Sequence, residues 1–110
     1  MRVQIAARHC DLPDPVRART EVQIQKLTKY DPRVSSAEVV FEVEKHLKKV
    51  EGILSVDRDE PVVAHGEGDE FREAVDQMVD RLARMLRRRR SQRTDHQATR
   101  LTGAERAAAD

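Results

Sequence analysis

Between Ala37 and Val43 every second residue is apolar: Ala37, Val39, Phe41 and Val43 share one side of an extended chain, while Glu38, Glu42 and Glu44 mostly take the other. A strand has a side-chain period of two, so this stretch has one dry face and one wet face. Such a strand needs neighbours for its backbone and a covering layer for its apolar side. Residues 2–8 repeat the alternation, with Val3, Ile5 and Ala7 against Arg2, Gln4 and Arg8. "KKVEGILSVD" and "PVVAHGEG" read as two further strands around a "DRDE" hairpin, with Pro61 at a strand start, where its missing donor is tolerated.

The covering layer comes from two segments of helical period. Asp14-Pro15 reads as an N-cap followed by proline in the first turn, and Val16, Thr20, Ile24, Leu27 and Tyr30 then form the inner stripe of a helix over about 15–30. The second segment takes Asp69 as N-cap, acids in its first turns, and Phe71, Val75, Met78, Val79, Leu82 and Leu86 as its stripe. The order strand, helix, three strands, helix is an α+β sandwich: β-α-β-β-β-α, a four-stranded sheet with both helices packed on one face. The first strand, first helix and second strand form a right-handed parallel unit, and strands two to four a meander.

A chain of 110 residues is one domain, able to bury a core without a staple. Its single cysteine, Cys10, excludes an internal disulfide, and its apolar runs are too short for a signal peptide or a membrane span. These features describe a soluble intracellular protein. The domain is expected over residues 1–92, with 93–110 a disordered tail that lacks sustained periodicity.

Charge divides the chain unevenly. Residues 1–80 hold 12 Lys+Arg and 17 Asp+Glu, whereas residues 81–93, "RLARMLRRRRSQR", hold 7 Lys+Arg and no acid. At 100° per residue, Arg81, Arg84 and Arg88 lie about 240°, 180° and 220° from Val75, opposite the core. Arg89, at about 320°, lies on the core stripe, so the packed part of the helix is expected to end near Leu86 and its last turn to project. Two helices side by side would bring Arg19, Lys26 and Lys29 near Arg81, Arg84 and Arg88 as one basic stripe. A helix dipole is satisfied by one or two cations in its last turn, so seven arginines point to a polyanion.

Material for catalysis is poor. His9, His46, His65 and His96 are scattered over separate elements with no metal-ligand spacing, Cys10 has no partner motif, and the acids of "GEGDEF" would repel phosphate. No enzyme, cofactor, metal or small-molecule substrate is expected. Tyr30, Phe41 and Phe71 sit on core stripes or at a helix end, so the stripe would read phosphates and helix shape instead of stacking on bases.

The segments "VRARTEVQIQKLTKY", "VVFEVEKH" and "VVAHGEGDEFREAVDQMVDRLARMLRR", in that order, resemble the ribosome hibernation promoting factor and ribosome-associated translation inhibitor family, in its short form, over roughly residues 1–92. The resemblance implies a fold like that of double-stranded-RNA-binding domains. It also implies a cytoplasmic, non-enzymatic stress factor that binds ribosomal RNA phosphates of the small subunit and occludes the path of messenger and transfer RNA. The family's basic positions fall here on Arg17, Lys26, Lys29, Arg81, Arg84, Arg87 and Arg88, and the chain departs from its pattern at Glu42, Glu70, Phe71 and Arg72. The dimerisation domain of long members is missing, so self-driven pairing of ribosomes is not implied; a monomer is expected off the ribosome. The other readings are an RNA chaperone or ribosome-maturation module using the same stripe, and a protein-interaction domain whose basic helix binds an acidic partner.

Overall fold

The computed structural model describes the backbone of residues 1–109 and the side chains of residues 1–92. Strands β1 (Arg2–Arg8), β2 (Val34–Glu44), β3 (Leu47–Val56) and β4 (Val62–Gly68) form one sheet in the order β1-β2-β3-β4. β1 is parallel to β2, and β3 and β4 follow antiparallel, as the order of elements predicts. Helices α1 (Asp14–Gln25) and α2 (Phe71–Ala109) pack on one face.

The register stacks the inward residues in rows across the strands. Val3, Ala37, Leu54 and Val62 form one; Ile5, Val39, Gly52 and Ala64 the next; Ala7, Phe41, Val50 and Gly66 the third. Onto them fall Ile24 and Leu27 from the first helical segment, and Val75, Met78, Leu82 and Leu86 from α2, all buried. Thr20, buried in the same stripe, satisfies its hydroxyl by donating to the Val16 carbonyl at 2.7 Å. In the second and third rows bulk falls away toward β4, and this sets where α2 lies. A Cβ on Gly66 would stand 1.9 Å from the Ala74 carbonyl oxygen, so helix and strand meet backbone to backbone there. The glycines of "GEG" are strand residues under a helix, in the strand that "PVVAHGEG" predicts.

Element ends differ from expectation by small, physical steps. Pro13, not Asp14, holds the N-cap position of α1, its carbonyl accepting from the Val16 and Arg17 amides at 3.0 and 3.1 Å, while Asp14 adds its charge inside the first turn. The last turn of that helical segment tightens to a 3-10 helix over Lys26–Lys29. α2 starts at Phe71, with the Ala74 amide bonded to the Glu70 carbonyl, so Glu70 takes the cap position expected of Asp69. At its far end the backbone remains helical through Ala109, where the sequence suggested a tail without regular structure. Leu, Arg, Gln, Glu and Ala are good helix formers by intrinsic propensity; the side chains of that stretch lie outside the described residues.

Candidate nucleic-acid interface

The arginines of α2 divide according to what flanks the helix. On the β4 side, Arg81, Arg84 and Arg88 rim a depression of about 330 Å³ floored by Val63, Ala64 and Met85. Arg81 is tied down there, its guanidinium donating to the His65 carbonyl at 2.8 Å. On the α1 side, Arg19, Lys26 and Lys29 line a second depression of about 290 Å³ opposite Asp76 and Asp80. Arg19 pairs with Asp76 at 3.0 Å, and Arg84 pairs with Asp80 one turn before it. The single stripe expected from the sequence is therefore two basic lanes, with a pair of carboxylates between them.

Tyr30 organises the far end of the α1-side lane. The Lys29 ammonium lies 5.1 Å and the Arg87 guanidinium 5.4 Å from its ring centroid, while Arg90 donates to its carbonyl at 3.2 Å. Two helices thus hold their cations against one aromatic ring. Arg17 stands apart: it reaches the Ile5 carbonyl of β1 at 3.4 Å, on the flank of α1 away from α2. Six of the eight expected residues, Arg19, Lys26, Lys29, Arg81, Arg84 and Arg88, line the two depressions; Arg87 joins them through Tyr30, and Arg17 does not.

Arg89 corrects another expectation. Instead of projecting past the sheet, it lies against the β3–β4 turn, donating to the Glu60 carbonyl and pairing with Asp59 at 3.4 Å. Arg33 also pairs with Asp59, at 3.1 Å, and with the buried Asp31 at 3.3 Å. This chain of charges fastens α2 beyond Leu86 to the hairpin and to the loop after the 3-10 turn. An arginine on the core stripe is tolerated because it is paired.

The other face of the sheet carries Glu38, Glu42, Glu51 and Glu67 with Arg8, Lys49 and His65. His65 Nε2 lies 2.6 Å from a Glu51 carboxylate oxygen, both side chains open to solvent. Next to it, Lys49 hydrogen-bonds Glu44 at 2.7 Å, which holds the Glu44 carboxyl below its usual range. Cys10 is half-buried, its thiol directed at the Phe41 carbonyl. Among the described residues no three His, Cys, Asp or Glu side chains are grouped to hold a metal, and no helix is long and apolar enough to cross a membrane.

Sheet, helical layer and divided basic surface together define a small α+β module with charges of opposite sign dominating its two faces. The chain belongs to the Sigma 54 modulation protein / S30EA ribosomal protein family, whose model matches residues 3–94. It is 32% identical over 97 residues to a ribosome hibernation promoting factor of Azotobacter vinelandii, covering 88% of this chain and 90% of that one. Its counterpart in Escherichia coli K12 is 27% identical over 96 residues, covering 87% and 100%. In fold it is similar to a ribosomal subunit interface protein from Coxiella burnetii, with a TM-score of 0.77, 20% identity, and coverage of 83% and 99%. The N-terminal domain of Protein Y from Thermus thermophilus aligns with a TM-score of 0.72, 22% identity, and coverage of 80% and 98%. The family is one of ribosome-associated hibernation factors.

Proposed function

We propose that this chain silences ribosomes by laying its helical layer on small-subunit ribosomal RNA and sterically occluding the path of messenger and transfer RNA. The observation that carries the reading is the placement of Arg81, Arg84 and Arg88 beside one flank of α2 and Arg19, Lys26 and Lys29 beside the other. Guanidinium and ammonium groups held on rigid helices fit phosphate oxygens, and they act by binding, without chemistry. Hibernation factors among its relatives support the ribosome as the target, and a cytoplasmic location is part of this reading.

Competition tests it. The protein should co-sediment with small subunits on a density gradient, and messenger with initiator transfer RNA should displace it. Stable co-occupancy with both ligands defeats occlusion. Binding to free RNA without ribosome co-sedimentation favours an RNA chaperone instead.

A further inference from the structure

The two carboxylates between the lanes sit where they should weaken any polyanion site. Asp76 neutralises Arg19, Asp80 neutralises Arg84, and both line the α1-side depression in which Lys26 and Lys29 stand. None of these groups is needed to hold the fold: the two ion pairs are solvent-exposed, and such pairs contribute little to stability. The Arg19 Nε is enclosed without an acceptor, so its pairing with Asp76 even leaves one donor unsatisfied. A surface meant for any phosphate chain would omit the acids.

We infer that Asp76 and Asp80 are specificity determinants, which make the basic face select folded RNA presenting two phosphate backbones and reject a single strand. This rests on the reading of the face as an RNA site. The lanes lie on opposite flanks of one α-helix, about 10 Å across with its side chains, so two backbones can occupy them with the carboxylates in between. The strip between two backbones of an RNA helix presents ribose hydroxyls, which can donate to a carboxylate. A single strand has one backbone. Confined to one lane it meets only half the cations, and crossing to the other it brings phosphate against Asp76 or Asp80, where like charges repel.

The test compares binding of a 20-base-pair RNA hairpin and a 20-nucleotide poly(U) strand at one salt concentration, in wild type and in the double variant Asp76→Asn, Asp80→Asn. Wild type should prefer the hairpin by about tenfold or more, and the double variant should bind poly(U) about tenfold more tightly while hairpin affinity changes less than about threefold. An unchanged melting temperature confirms that the variant is folded. Wild type that sediments with ribosomes but binds both RNAs equally overturns the selectivity alone, as does a double variant with unchanged preference. Wild type that binds neither RNA nor ribosomes overturns the underlying reading as well.

Discussion

At Gly66 a single hydrogen in place of a methyl group decides how closely α2 can lie on the sheet. The atom in the way of a Cβ is the Ala74 carbonyl oxygen, at 1.9 Å, with the Met78 amide at 2.8 Å, and both are backbone of a buried helix turn. At Gly52 the nearest atom, 2.7 Å away, is the Met78 sulfur, the flexible end of a side chain that can turn aside. Gly66→Ala should therefore cost about 3 kcal/mol, and Gly52→Ala clearly less, measured by chemical denaturation of both. Equal costs would show that α2 shifts as readily as a methionine does. The alternation of "VVAHGEG" marks Gly66 as inward-facing, but the requirement for glycine is a distance between helix and sheet, which no local pattern contains. Arg89 and Asp59 illustrate the same limit: the periodicity placed Arg89 on the core stripe, while its partner lies across a hairpin.

Along α2 the helical period revealed both the core residues and the outward arginines, because both follow from 100° per residue. What an angle cannot show is which neighbour stands there. Asp76 and Asp80 are visible in the sequence only as acids along α2, and their place between two basic lanes depends on where α1 and β4 flank the helix. The same packing separates fold from function along one element. Changing Arg81, Arg84 and Arg88 together to glutamate removes one hydrogen bond to β4 and one surface ion pair, about 1–2 kcal/mol in total. The variant should remain folded by circular dichroism and fail to co-sediment with ribosomes. Leu82→Ala, one residue from Arg81 but fully buried, should cost about 2–5 kcal/mol and leave ribosome binding intact below its melting temperature. Charge reversals that sediment at wild-type affinity would reduce the arginine run to a solvated helix end.

In the whole molecule the formal net charge is only +1, but the charges are sorted by layer. Cations flank α2, while on the opposite side of the sheet glutamates outnumber Arg2, Arg8 and Lys49, so a polyanion is drawn to the helical layer in preference to the other. Orientation is thus set before contact, and affinity should depend on counterions released by the helical layer. Of the seven cations around α2, Arg19 and Arg84 are partly neutralised by Asp76 and Asp80, so on the proposed reading Lys26, Lys29, Arg81, Arg87 and Arg88 would be the main phosphate partners. Five neutralised phosphates give a slope near −4.5 in log affinity against log salt, a fall of about 500-fold between 50 and 200 mM. Asp76→Asn with Asp80→Asn should steepen the slope by about 1.4 units on poly(U) as Arg19 and Arg84 are freed. Replacing Arg81 and Arg88 by glutamine should flatten it by a similar amount on the hairpin. Titrations from 50 to 200 mM salt read all three slopes; a wild-type slope near −1 would mean that apolar contact around Val63 and Met85, not phosphate, carries the binding, and that the face is built for a protein.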